Sequence, residues 1–428
     1  MFDSFLAPWL PSSLAPWSCP IRIRPFRAWR PLPALAARIA CPPYDVVTRA
    51  EAVALAAGNP LSFLHVCRSD IDLPADTDPH DPRIYAKARQ NLDLFYQDGS
   101  LIREAEPMLY LYELTMDRRT QTGVVGCVHV DDYDRDVIKK HEKTRKDKED
   151  DRTRHVLTLN AHAEPVFLTY PSTPFITQLN SKIMAEDPLY DFTSPDGVRN
   201  RVWRVRNSPQ YADAFRRIGV GYVADGHHRS ASASRAAAER RAANPKHTGD
   251  EEYNWFLAVL FPSNQVRILP YFRVVKDLNG QTPEAFLAAL ANVGTLTPTD
   301  APAPEQAGTF GIRVGDAWYR LVLDPETIEE DDPVASLDVT LLHERILAPL
   351  LGIGDVRTDP RIDFVGGIRG IAELERRVSS GEAGAAFALH PVTVQQLMAI
   401  ADAGQIMPPK STWFEPKLKS GLFVHSLD

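Results

Sequence analysis

A chain of 428 residues that is 44% hydrophobic and 24% charged is long enough for two or three domains around a sizeable core, and such a composition excludes intrinsic disorder. The net charge of -8 argues against a general nucleic-acid binder, whose phosphate affinity comes from a surplus of Lys and Arg. Cys19, Cys41, Cys67 and Cys127 never stand as C-x-x-C, so neither a zinc ribbon nor a disulfide framework is suggested and a reducing cytosol fits.

Residues 1–20 are apolar, but they lack a basic start, contain Asp3 and are broken by prolines. They read as a poorly ordered extension, not as a signal segment. No later window is apolar for long enough to span a bilayer. The expectation is a cytoplasmic protein with neither membrane nor nucleic acid as partner, and the sequence gives no oligomeric state.

Ordered structure is expected from residue 21, with a strand-like start that runs into a proline-punctuated segment. In Cys41-Pro42-Pro43-Tyr44-Asp45-Val46 two prolines fix an extended backbone, which presents Tyr44 and Asp45 rigidly; a structural proline turn is the plain alternative. Residues 48–57 read as a helix closed by Gly58, and residues 60–66 as a strand. Asp81 before Pro82 starts a helix in which Ile84, Ala88, Leu92 and Phe95 recur at helical spacing. Residues 107–115 and 122–130 alternate like paired strands.

The most charged stretch, residues 139–155, contains His141, Glu142, Lys143, Asp151 and Arg152. A charge run usually forms a solvated helix face. The functional alternative is an electropositive loop that holds phosphates, with Glu142 or Asp151 as the acid that handles a proton or a metal.

Strands are expected at 165–170 and 201–206, and then Asp225-Gly226-His227-His228-Arg229 stands where a strand gives way to an Ala- and Arg-rich helix. A helix start offers unpaired N–H groups and the positive end of the macrodipole, so anions bind there. Gly226 lets the backbone come close, and Arg229 adds a planar fork of donors. The plain reading makes Asp225 an N-cap with Arg229 paired to it. Two histidines, an acid and an arginine on one glycine turn exceed what a cap requires.

Beyond two apolar strands at 255–261 and 266–274, a helix is expected at 283–292, a linker or surface loop at 295–307 and a hairpin at 308–323. Residues 338–351 read as a helix with His343 and Glu344 on its polar face. A helix at 369–379 lies between strands at 363–367 and 384–389, and a capping box at 393–396 opens the last helix. The tail carries Trp413, Phe414, three prolines and Lys410, Lys417 and Lys419, so it is expected to dock on the body. Docking there either closes a ligand site with Lys410 and Ser411 or merely covers a sheet edge. No internal repeat, Walker A pattern, protein-kinase set or G-x-S-x-G elbow is present.

Arg24-Pro25-Phe26-Arg27-Ala28, Cys41-Pro42-Pro43-Tyr44-Asp45-Val46, His141-Glu142-Lys143-Thr144, Asp225-Gly226-His227-His228-Arg229 and Met407-Pro408-Pro409-Lys410-Ser411-Thr412 with Pro416-Lys417 together resemble the bacterial and archaeal family known as domain of unknown function 1015. The likeness runs over nearly all of the chain after residue 20. The Asp-Gly-His-His-Arg turn is also similar to the phosphate-binding turn of the ParB/sulfiredoxin superfamily, above all that of ADP-dependent free serine kinase. That resemblance implies phosphate binding by Gly226, His227, His228 and Arg229, with Asp225 nearby for a proton or metal. Glu142 corresponds to a catalytic glutamate by role and not by a shared motif.

The resulting expectation is an α+β, mixed α/β protein: a ParB/sulfiredoxin-like body with a mixed sheet over residues 21–285 and a smaller C-terminal α/β lobe over 286–428, whose tail returns to the cleft. The expected activity is a nucleotide-dependent kinase acting on the hydroxyl of a small amino acid such as serine, or a similar alcohol. ADP or ATP donates the phosphate with Mg2+. Glu142, Asp225 and His227 are the expected catalytic groups, Gly226, His228, Arg229, Lys143 and Arg152 the phosphate ligands, and Tyr44, Asp45, Lys410 and Ser411 the substrate-binding residues; no resident metal site is assigned. The alternatives are a nucleotide- or metabolite-binding regulator and, last, a hydrolase whose metal sits on His141, His227 and His228.

Overall fold

A computed structural model of the chain describes residues 20–428; the expected extension lies outside them except for Pro20. The principal sheet has nine strands, which are β1 (Ile23–Arg24), β2 (Leu109–Met116), β3 (Arg119–His129), β4 (Ile138–Lys139), β5 (Val166–Tyr170), β6 (Tyr190–Thr193), β7 (Arg199–Val205), β8 (Gly221–Asp225) and β9 (Trp255–Pro262). Their order is β4–β8–β5–β9–β3–β2–β7–β6, with β1 on β3. The β4/β8 and β5/β9 pairs are parallel and the others antiparallel, so the sheet is mixed and the protein is of the mixed α/β class.

Alternation sends the two faces of this sheet into separate cores. Phe256, Ala258 and Leu260 of β9 join Leu168 and Val223 on one side, while Leu257, Val259 and Phe261 join Phe167 and Tyr222 on the other. Burial on both faces explains why the central strands read as continuous apolar runs. Three helices pack in series, α1 (Pro82–Gln97) on α2 (Lys146–Leu159) and α2 on α3 (His227–Ala243). Buried Ser230, Ala231, Ser232, Ala233, Ala236 and Ala237 give α3 a small-residue face, which allows close packing. Arg235 ties it to α2 through Glu149 at 3.3 Å and Asp150 at 2.6 Å.

A second, smaller sheet forms from β10 (Tyr271–Val275), β11 (Thr295–Pro298), β12 (Thr309–Val314), β13 (Ala317–Val322), β14 (Ile362–Gly366) and β15 (Ala385–Leu389). It runs β11–β13–β12–β15–β10–β14, antiparallel throughout. Since β10 already belongs to it, the change of sheet precedes the expected boundary at 285, which falls inside the helix Pro283–Leu290.

Three local expectations need correction. Residues 60–66 form no strand: the chain turns there and enters the helix Leu64–Cys67, where Phe63, Leu64, Val66 and Cys67 are all buried. A short apolar run buried on every side carries no period that separates the two states. The expected linker at 295–307 begins with β11, which pairs with β13. The helix at 338–351 is α-helical only over Asp338–Leu342 and continues as a π-turn, His343–Leu347.

The tail is stitched to the body at several places. The Met407 N–H donates to His141 O at 2.8 Å, and Cys41 and Ser420 exchange backbone bonds of 3.1 and 2.9 Å. Trp413–Glu415 pairs antiparallel with Arg267–Leu269, and His425–Ser426 with Ala161–His162. Among the described residues no helix is long and apolar enough to cross a membrane.

Candidate active site

The turn between β8 and α3 hinges on Gly226, whose φ of +95° lies in the left-handed region where a side chain is strained. A Cβ there would stand 3.0 Å from Arg229 Nε and 3.1 Å from its Cζ. Gly226 itself takes the cap position of α3, and no side chain caps the helix. The plain reading of Asp225 as the N-cap therefore does not hold. The Ser230 N–H returns to Gly226 O at 2.9 Å, and the preceding N–H groups of His227, His228 and Arg229 make up the open first turn, the arrangement that receives anionic oxygens.

Arg229 lies beneath the turn, not in front of it. Its side chain is 7% exposed; Nη2 is 3.1 Å from Asp225 Oδ2 and 3.7 Å from Asp45 Oδ2, and Nη1 donates to Pro165 O. Burial opposes its charge, yet Asp45, Asp225 and Glu164 together hold its pKa above the usual value. The fork expected to meet phosphate thus ties the segment carrying Asp45 to the segment carrying Asp225. Burial likewise opposes the charge of Asp225, but Lys417 and Arg229 keep its carboxyl below the usual range.

Arg152 is also engaged inward. It is 2.8 Å from Asp151 and 3.8 Å from Glu164, with its guanidinium 4.2 Å from the Tyr44 ring centroid. The Tyr44 N–H donates to Glu164 Oε1 at 3.2 Å, and burial raises the phenol. Tyr44 thus packs against the Arg152 guanidinium, whose Nε donates to Asp151 Oδ2 at 2.8 Å. Ser411 is buried and donates its hydroxyl to Pro408 O at 2.6 Å, which closes the tail turn. Lys143 is exposed, and among the described residues no ion pair draws it to the turn.

On the open side stands Glu142, with Oε2 4.0 Å from His227 Nδ1 and a side chain 37% exposed. Burial, with Asp225 and Asp45 adding to it, outweighs Lys410 and His228 and raises its carboxyl. The buried His227 ring meets His141 edge-on, with centroids 4.4 Å apart, and burial lowers its pKa to about 3. Among the described residues neither His141 ring nitrogen nor His227 Nε2 has a partner. The His228 Nε2 accepts the Arg145 N–H at 3.1 Å, which places its proton on Nδ1. His227 and His228 thus turn to different neighbours, and among the described residues no three His, Cys, Asp or Glu side chains converge as a metal site. Lys410 adopts φ +57°, uncommon for a residue with a side chain, and holds its ammonium 5.6 Å from the Tyr271 ring centroid.

Two further groups belong to the site that the sequence reading leaves without a role. Glu164 is a buried carboxylate between the two arginines, and its only outward sign is an acid at the mouth of an apolar strand. Lys417 reaches from the tail to 3.6 Å from Asp225 Oδ2, and its only sign is its place in the terminal motif.

Residues 23–340 match the family model described as protein of unknown function, DUF1015. No curated protein matches the chain. Among solved structures, SbnI with a C-terminal truncation, from Staphylococcus aureus, is similar at 12% identity, over 70% of this chain and 87% of that one, with a TM-score of 0.37. Free serine kinase in complex with AMP is similar at 15% identity, over 70% and 91% of the chains, with a TM-score of 0.33. For a conserved hypothetical protein from Pyrococcus furiosus the figures are 15%, 70%, 95% and 0.32.

Proposed function

The chain belongs to the DUF1015 family, and for it we propose a small-molecule phosphotransferase: a nucleotide-dependent kinase acting on the hydroxyl of a small amino acid such as serine, or a similar alcohol. The observation that carries this reading is the uncapped start of α3 at Gly226, with Glu142 on its open side making no hydrogen bond among the described residues. Three N–H groups at a helix start suit the phosphate oxygens of ADP or ATP. Mg2+ is commonly held by one or two carboxylates together with substrate phosphates. Asp225, whose Oδ2 faces Arg229 and Lys417 while Oδ1 makes no hydrogen bond among the described residues, is the carboxylate that would help hold it, which leaves Glu142 for the proton and Asp45 for the substrate.

A bound nucleotide supplies the transferable phosphoryl group, and Mg2+ offsets its charge. The residues of the chain do the rest. Glu142, whose carboxyl pKa burial raises, accepts the proton of the attacking hydroxyl. His227 stays neutral and does not compete for that proton. Arg229 holds Asp45 and Asp225 in fixed relation, while Lys410 and Asp45 offer an ammonium to a substrate carboxylate and a carboxylate to a substrate amine.

The test is phosphorus NMR of the purified protein with ADP or ATP, Mg2+ and a panel of amino acids and polyols. A new phosphoester signal is expected, absent for Glu142→Gln although that variant still binds nucleotide. Tight nucleotide binding without consumption across the panel would overturn the kinase and leave a regulator.

A further inference from the structure

Around the β8–α3 turn, carboxylates outnumber the cations free to meet a ligand. Asp45 and Asp225 lie 3.7 and 3.1 Å from Arg229 Nη2, and Glu142 lies 4.0 Å from His227 of the same turn. Arg229 donates to Asp225 and Pro165 O with Asp45 at 3.7 Å, and Arg152 donates to Asp151 against the Tyr44 ring with Glu164 at 3.8 Å; the nitrogens without a partner among the described residues, Arg229 Nε and Arg152 Nη1, are buried away from a ligand. A polyanion arriving beside three carboxylates needs a cation with donors to spare.

Lys417 has them. Its Nζ lies 3.6 Å from Asp225 Oδ2, longer than a hydrogen bond, and an ammonium carries three donors. The Trp413 ring centroid is 4.9 Å away, a position from which an aromatic face stabilises a cation without consuming a donor. The stem is fixed by the tail: the Lys417 N–H donates to Glu415 Oε2 at 3.1 Å, and Glu415 pairs with Arg267 in the short sheet that anchors this segment. The side chain is 12% exposed, so it is not sealed from solvent, and its ammonium lies beside the last residue of β8.

We propose that Lys417, carried in on the C-terminal tail, is a polyphosphate-binding residue of this turn: its ammonium leaves Asp225 to meet the oxygens of a nucleoside diphosphate or triphosphate, or of inorganic pyrophosphate. The proposal rests on the turn being a phosphate site and does not depend on phosphoryl transfer. It makes the tail part of the site, consistent with Met407 binding His141 O next to Glu142 and Ser420 pairing with Cys41 next to Tyr44 and Asp45.

Calorimetric titration of the full chain with ADP and, separately, with pyrophosphate, at low and high salt, tests it. Lys417→Met is expected to weaken binding about tenfold or more and to flatten the salt dependence, while Lys417→Arg restores most of both. Loss confined to one ligand identifies which of them the lysine serves and upholds the proposal. Should Lys417→Met fail to fold, acylation of the unaltered protein with acetic anhydride decides the matter: pyrophosphate should shield Lys417 and leave exposed Lys143 reactive. Binding by Lys417→Met equal to that of the unaltered chain, no binding of either ligand by the unaltered chain, or an unshielded Lys417, would each overturn it. Pyrophosphate binding through Lys417 without phosphoryl transfer would sink the kinase and leave this inference standing.

Discussion

His227 Nδ1 stands 4.0 Å from Glu142 Oε2, and burial moves the two groups in opposite directions, the imidazole down to about 3 and the carboxyl up. In the proposed reaction the neutral histidine leaves the proton to the glutamate. A base must be deprotonated to act, so the rate should rise with pH through a value above the ordinary glutamate pKa of about 4.3. Glu142→Gln should lower turnover by about 100-fold or more and remove that ascending limb. A pH–rate profile that keeps the limb in the variant would move the base elsewhere.

Gly226→Ala isolates the turn itself. The φ of +95° is strained for any L side chain, and the added Cβ crowds Arg229 Nε at 3.0 Å. The expected loss is about 1–2 kcal/mol of stability, read by urea denaturation, with a larger fractional loss of ADP affinity because the first-turn N–H groups shift. Unchanged affinity in a folded variant would show that those groups hold no ligand.

The turn was legible in sequence because Gly at a strand–helix junction and a dense set of polar residues each carry a physical meaning there, and Asp81-Pro82 and the alternation at 107–130 were legible for similarly local reasons. Of the roles of Arg152 and Arg229, only the pairing of Arg229 with Asp225 was. A buried arginine and a surface one look alike in sequence, and what holds these two inward, Glu164, Asp45 and the Pro165 carbonyl, comes from remote segments. Lys417 was hidden for the same reason: its contact with Asp225 exists only because the tail returns across the sheet.

Arg229→Met should cost about 3–5 kcal/mol, since it removes the guanidinium that faces both Asp225 and Asp45 and leaves Asp225 with Lys417 alone at 3.6 Å. Denaturation at pH 7 measures it. The carboxyl of Asp225 is held below its ordinary range by Lys417 and Arg229 against the effect of burial, so its stabilising contribution is present above the unfolded value of about 3.9 and fades as pH falls towards the lower folded value. The stability gap between the unaltered chain and Asp225→Asn should therefore narrow below about pH 4. A gap that stays constant into acid would mean the aspartate makes no net charge interaction in the fold.

Buried histidines govern the milder acid range. Burial lowers His155, His162 and His227 to about 3 and His141 well below its ordinary value, whereas in the unfolded chain each titrates near ~6.5. Below that value the unfolded state binds protons that the folded state refuses. Each group then removes up to about 1.4 kcal/mol per pH unit, so stability is full above ~6.5 and is lost as pH falls. Guanidinium denaturation should accordingly show a marked drop between pH 7 and pH 5, before the carboxylates titrate. His155 contacts Val66 O at 3.1 Å through Nε2, so His155→Gln keeps a donor there and removes one titrating group. That variant should be less stable at pH 7 yet lose less on acidification, and an unchanged slope would exclude the His155 proton from the acid response.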